Sequence, residues 1–310
     1  MISRSTDLPS GQPTDSEEPR YWTVSDLLTW TESFFKRLGI ANSRLDAELL
    51  LADAMGVSRV ELYTGYGKIV EGKERDRFRA AVERRRNMEP VAYILGVREF
   101  YSLSFSVNRS VLIPRPETEH LVDLLLDEVG KQAVENRPVR ILDLGTGSGN
   151  IVVSLLTHLQ NATAVAVDAS DKALDVARKN ASRHSVDDRI EFVHGDLFAP
   201  LTPGVRFDVI VSNPPYVAPS EFEALMPDVR NFEPPMALID AKRGDGVGFY
   251  REIIAAAPRF IEPGGLLAFE VGGPQAGTIS GLLGPSFWTE IRTTADYAGL
   301  ARVVSCRLSA

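Results

Sequence analysis

The stretch Val139-Arg140-Ile141-Leu142-Asp143-Leu144-Gly145-Thr146-Gly147-Ser148-Gly149-Asn150 decides the fold class of this chain. Its first half is apolar and rich in branched side chains, which predicts a buried strand over residues 139–143. Three glycines then alternate with Thr146 and Ser148. They let the backbone turn sharply and approach a ligand where a Cβ would collide. A helical pattern follows over residues 150–159. Downstream, the spacing predicts a strand over 163–168, a helix over 172–182, and strands over 190–194, 207–212 and 265–271. Two closing strands are expected over 289–293 and 301–308. Alternation of this kind specifies a parallel, doubly wound α/β sheet that binds ligands at the carboxyl ends of its strands.

Upstream the character changes. Residues 1–20 are rich in Ser, Pro, Thr and acids and read as a disordered tail. Thr23 with Asp26, and Ser58 with Glu61, have the spacing of helix capping boxes. Leu27, Trp30, Phe34 and Leu38 recur at helical spacing up to Gly39, and Leu45, Leu49, Ala52 and Met55 do so up to Gly56. A charged helix over 71–86 ends in Arg84-Arg85-Arg86; interleaved acids at Glu74, Asp76 and Glu83 favour a solvated face for this triplet over a contact for RNA or an RNA-bound partner. From Val91 to Ile113 the pattern is extended and predicts a β-hairpin. The expected organisation is therefore a tail (1–20), a helical bundle (21–88), a hairpin linker (89–116) and the α/β domain (117–310).

Composition narrows the function. The 310 residues include 34 Lys and Arg against 42 Asp and Glu, a formal net charge of −8, with 44% hydrophobic residues. That acidic balance disfavours a protein that grips nucleic acid mainly through phosphates, so no direct nucleic-acid partner is expected. No apolar run approaches the roughly 20 residues needed to span a bilayer, and the N-terminus lacks the apolar core of a signal peptide. The single cysteine, Cys306, excludes an intrachain disulfide and a Cys-based zinc cluster. It fits a reducing, cytoplasmic setting. None of the four histidines has a ligand partner at useful spacing, so no metal is expected.

The glycine loop is not a dinucleotide fingerprint, which needs glycines at relative positions 1, 3 and 6; here position 6 is Asn150. Its spacing resembles that of class I methyltransferases, which bind S-adenosylmethionine. Asp168 closes the second strand, where a carboxylate can accept hydrogen bonds from both ribose hydroxyls. An N-cap role is the alternative for Asp168, although Ser170 could serve there equally well. Asp196 and Leu197 follow the third strand, where such enzymes hold adenine.

The fourth strand runs into Asn213-Pro214-Pro215-Tyr216. The two prolines stop pairing and fix the backbone, so Asn213 is presented rigidly at the strand end. An Asn carbonyl plus a main-chain carbonyl can accept both hydrogens of a planar –NH2 group. In the methyltransferases that it resembles, this tetrapeptide accompanies methylation of such a nitrogen, in adenine or in glutamine. Val111-Leu112-Ile113-Pro114-Arg115-Pro116-Glu117-Thr118-Glu119, residues 89–96 and Phe232-Glu233-Pro234 favour glutamine. With Glu270-Val271-Gly272 they closely resemble the release-factor glutamine methyltransferases, the PrmC/HemK family.

That resemblance covers residues 21–306. It implies a seven-stranded, Rossmann-like class I domain with a small helical bundle. Its substrate would be the glutamine of the Gly-Gly-Gln loop in class I peptide-chain release factors. Carried over, it assigns Gly145, Thr146, Gly147, Ser148, Gly149, Asp168, Asp196, Leu197 and Asn213 to S-adenosylmethionine. It assigns Asn213, Pro214, Pro215 and Tyr216 to the substrate amide, with Asn213, Pro214 and Tyr216 catalytic. Phe100, Arg115, Glu117 and Glu119 would line the entrance. Gly273-Pro274-Gln275 lies where the family varies. The alternatives are a glutamine methyltransferase acting on a ribosomal protein, an adenine-N6 methyltransferase, and a cofactor-binding regulator without catalysis. The second would be expected to carry a basic recognition domain, and the third has no need of Asn213–Tyr216.

Overall fold

The computed structural model describes residues 21–132, 138–240 and 244–309; the expected tail lies outside them. The described residues divide into two compact units, one ending at Leu95 and the other beginning at Gly96.

In the first unit, helix α1 (Val24–Arg37) starts at Thr23, and Thr23 and Asp26 bond each other's backbone N–H. This reciprocal cap satisfies donors that the first turn leaves open. Helix α2 (Ser43–Met55) stops at Gly56, which is left-handed with φ 67°. Helix α3 (Arg59–Thr64) carries the Ser58–Glu61 capping box, and α4 (Gly72–Arg86) precedes a short α5 (Val91–Leu95). Leu27, Phe35, Leu50, Leu51, Leu62, Phe78 and Val82 form one buried core, each contributing about 1.5–3 kcal/mol over exposure.

Two expectations need correction here. The arginine triplet is a solvated face only in part: Arg84 is exposed, but Arg85 is 6% exposed and its Nε donates to Asp46 at 2.8 Å. Arg84 forks onto both oxygens of Glu89 at 2.8 and 2.9 Å. Residues 91–95 are helical, not extended, and the N–H groups of Tyr93 and Ile94 return to the Pro90 carbonyl. An unbroken apolar run has no period with which to tell helix from strand.

The second unit opens on the hairpin β1 (Val97–Phe100) and β2 (Leu103–Ser106). Its two turn residues, Tyr101 and Ser102, are both left-handed, at φ 51° and 58°, as a tight hairpin turn requires. Then come α6 (Glu119–Gln132), β3 (Val139–Leu144), α7 (Asn150–His158), β4 (Ala162–Asp168), α8 (Asp171–Arg183) and β5 (Ile190–His194). The chain continues through β6 (Phe207–Ser212), α9 (Pro227–Phe232), α10 (Pro235–Leu238), α11 (Gly248–Ala256) and β7 (Ile261–Glu270). It ends with α12 (Ala276–Leu282), β8 (Trp288–Ala295) and β9 (Ala301–Leu308).

The seven strands of the main sheet run in the order β5-β4-β3-β6-β7-β9-β8. All pairs are parallel except those made by β9, which is antiparallel to β7 and β8. Both faces are covered. Ile141 of β3 joins a cluster with Leu121 of α6 and Leu155 of α7, whereas its neighbours Leu142 and Leu144 join Tyr250 of α11 and Ile279 of α12. A strand buried on both faces needs the continuous apolar run that the sequence shows. The strand order reverses between β3 and β6, and the carboxyl ends at that switch point are where such sheets bind ligands.

Candidate active site

A cavity opens at this switch point. Its wall includes residues 144–148, 168–170, 195–197 and 212–215, with Arg115, Met236 and Phe249 among those closing it. Gly145, Gly147 and Gly149 all have positive φ, at 74°, 56° and 78°. At Gly149 a Cβ would also stand 3.2 Å from the Ala177 Cβ, so that glycine lets α7 start close against α8.

The loop is held from below. Thr146 donates its hydroxyl to Asp143 Oδ2 at 2.7 Å, and Asp143 is fully buried. Burial pushes that carboxyl up to about 7. Asn180 of α8, 0% exposed, donates to the carbonyls of Ser148 and Ser106 at 2.8 and 3.0 Å and accepts from the Ser106 N–H at 2.7 Å. One amide thus ties the hairpin to the glycine loop. A polar residue on the otherwise apolar stripe Ala173, Val176, Ala177 was the signal for it, and sequence reasoning passed over it.

Asp168 sits at the end of β4. It accepts from the Gly147 N–H at 2.8 Å and the Ser170 N–H at 2.9 Å. Helix α8 is capped by Ser170, whose side chain accepts from the Ala173 N–H. Burial raises the Asp168 carboxyl above its ordinary value, with the two backbone donors opposing. A carboxylate on the cavity wall that is held by the Gly147 and Ser170 backbone N–H groups fits a ribose diol. Asp196 and Leu197 stand on the same wall, with Leu197 itself left-handed at φ 50°. The residues present therefore fit an adenosyl cofactor.

Asn213, Pro214 and Pro215 also line the cavity. Asn213 donates Nδ2 to Glu270 Oε2 at 2.9 Å, and Glu270, at the end of β7, is 3% exposed. Burial pushes the Glu270 carboxyl up to about 7 against the opposing pull of the Thr118 side chain, Arg302 and Arg115. Tyr216 is not on the cavity wall; its ring is partly buried against the second core cluster. Gln275 donates to the Tyr216 carbonyl at 2.8 Å, which fixes the backbone after the prolines.

Of the segment expected at the entrance, Arg115 and Thr118 reach the cavity. Phe100 is 1% exposed and belongs to the core, with its ring edge-on to Phe105 at 6.0 Å. The pleat of β1 turns its last side chain inward, which overrides the assignment. Glu119 instead accepts from the Tyr101 N–H at 2.9 Å, supporting the hairpin turn. Glu117 is off the cavity wall and acts electrostatically on Glu270 and Arg302. Glu233, within Phe232-Glu233-Pro234, is the residue that organises this segment. It is 3% exposed and accepts from the Ile113 N–H at 3.1 Å and from Arg115 at 2.5 Å.

Comparison with known proteins bears on both units. Residues 26–96 match the PrmC N-terminal domain, and residues 121–227 match the methyltransferase small domain. The release factor glutamine methyltransferase of Geobacter sulfurreducens is 41% identical over 293 residues, spanning 94% of this chain and 99% of that protein. Those of Rhodopirellula baltica and Chlorobaculum tepidum are 41% and 40% identical, over 92% and 93% of this chain and 96% and 98% of theirs. Among solved structures, the hMettl16 catalytic domain in complex with MAT2A 3'UTR hairpin 6 superposes with a TM-score of 0.51 at 17% identity. It covers 71% of this chain and 82% of that one, a likeness of fold alone.

Proposed function

The chain belongs to the release factor glutamine methyltransferase family, whose members are S-adenosylmethionine-dependent, and on that premise we propose its substrate and the residues that act on it. It methylates the side-chain amide nitrogen of the glutamine in the Gly-Gly-Gln motif of class I release factors. The work is done in the cytoplasm, in the service of translation termination. Among the described residues, no helix is long and apolar enough to cross a membrane.

The observation that carries this reading is the placement of Asn213. It lies at the end of β6 on the wall of the cavity that the glycine loop also lines, with its Nδ2 taken by Glu270. The carbonyl Oδ1 is then the end of the amide left for a ligand. A carboxamide nitrogen is a poor nucleophile because its lone pair is delocalised. S-adenosylmethionine supplies a methyl group already activated by the neighbouring positive sulfur. The protein's task is to hold the nitrogen in place and keep water out. Asn213 Oδ1 and the Pro214 carbonyl accept the two N–H groups, orient the nitrogen, and favour the positive charge that develops on it. Asp168 holds the ribose hydroxyls, Asp196 and Leu197 the adenine, and residues 145–149 the remainder of the cofactor. The Tyr216 ring packs against the second core cluster, off the cavity wall.

Labelled methyl transfer to a purified class I release factor tests the proposal, with mass spectrometry to locate the label. One methyl on the Gly-Gly-Gln glutamine, and none on the Gly-Gly-Ala variant, is expected. Label on a ribosomal protein or on DNA in preference to the release factor would overturn it.

A further inference from the structure

The structure assigns Glu270 as the positioning residue that decides which end of the Asn213 amide faces the cavity, an inference that rests on reading Asn213 as the acceptor for the substrate amide. A side-chain amide is nearly symmetrical in shape, so packing alone does not distinguish Oδ1 from Nδ2. An ionised carboxylate is acceptor-only, so it can pair with Asn213 only through Nδ2. The Nδ2–Oε2 distance of 2.9 Å, on a carboxylate that is 3% exposed, places that selection out of reach of competing water. The reverse orientation would aim two N–H donors at a substrate –NH2 group, donor against donor.

The selection depends on the charge of Glu270. Once protonated, its carboxyl can donate O–H to Oδ1 and accept the reversed amide. The groups acting on Glu270 come from several elements. Arg302 lies on β9, Arg115 and Glu117 precede α6, Tyr216 follows β6, and Tyr250 is on α11. Burial outweighs the Thr118 side chain and the two arginines and sets the carboxyl at about 7. Transfer should therefore fall as pH drops through that value, while cofactor binding does not follow it.

Single-turnover transfer by the full chain, with saturating cofactor and release factor between about pH 6 and 8.5, is the test. The wild type should show an acidic limb centred near 7. Glu270→Gln presents both a donor and an acceptor to Asn213. It should lose the limb and transfer roughly tenfold more slowly at pH 8, with cofactor affinity by calorimetry within about twofold of wild type. The swap Asn213→Asp with Glu270→Gln restores one orientation, because the Gln amide donates to the new carboxylate. It should transfer severalfold faster than Asn213→Asp alone, a rescue that a merely structural role for Glu270 would not produce. Wild-type rate and limb in Glu270→Gln would overturn the inference. So would a flat wild-type profile, which decides the matter even if the variant fails to fold. If Asn213→Ala abolishes transfer while Glu270→Gln leaves it untouched, only this inference falls; if Asn213→Ala is harmless, the underlying reading falls too.

Discussion

In the helical unit Glu48, 1% exposed, receives Arg44 at 2.6 Å, Arg59 at 2.7 Å and the Tyr63 hydroxyl at 2.7 Å. In the methyltransferase unit Asp143, fully buried, has the Thr146 hydroxyl on one oxygen and no partner on the other. Glu270 and Asp168 have amide donors where Glu48 has guanidinium groups. The consequences for ionisation are opposite. Burial pushes Glu48 up, but its three donors outweigh this and hold it below the ordinary carboxylate range. Burial wins at Asp143 and Glu270, which both rise to about 7. At Glu48 guanidinium groups sit directly on the carboxylate. At Asp143 and Glu270 neutral donors do, and burial keeps both carboxyls raised, the mark of a functional site.

The largest effect expected from breaking this contrast is at Arg85. Arg85→Ala leaves Asp46 buried without its guanidinium and should cost about 3–5 kcal/mol. The loss is read as hydrogen-exchange protection in α2 and α4. Equal loss in β3 and β6 would mean that the pair does not belong to the helical unit's own stability.

Asp168→Ala should spare the fold and weaken S-adenosylmethionine binding by about 1.5–3 kcal/mol, the worth of charge-assisted hydrogen bonds. Calorimetric titration measures this directly, and unchanged affinity would remove Asp168 from the cofactor site.

The smallest effect is on pH dependence, and its sign differs between the units. The contribution of Glu48 is complete above its unfolded value near 4.5 and is lost only as pH falls through its lowered folded value. Those of Asp143 and Glu270 are complete below their unfolded values of 3.8 and 4.5 and are lost as pH rises through about 7. Between about pH 5 and 8, exchange protection in β3 and β7 should fall by on the order of 1 kcal/mol relative to α2. A parallel change in both units would erase the contrast.

What the sequence disclosed follows the range of each interaction. The glycine loop, the parallel strands and the Thr23 and Ser58 caps are local patterns, and each was legible from a few consecutive residues. Helix α5 was not, because Val91 to Leu95 is apolar throughout. Arg85 was misjudged because Asp46 lies 39 residues away. The roles of Glu270 and Glu233 were hidden for the same reason. Asn213 meets Glu270 across 57 residues, and Ile113 meets Glu233 across 120. Both acids stood inside recognised motifs, but only the folded sheet shows what they hold. Phe100 was placed at the entrance by resemblance and removed from it by the pleat of β1.

The central claim is that the amide of Asn213 orients the nitrogen that is methylated. Single-turnover transfer to release factor at saturating cofactor, compared between wild type, Asn213→Asp and Asn213→Ala, tests it most directly. Near-normal cofactor affinity is expected in the Asp variant, with at least a roughly hundredfold slower transfer. The Ala variant should lose more, toward the upper part of about 10² to 10³. Wild-type transfer rates in either variant would reduce Asn213 to a turn residue and contradict the account.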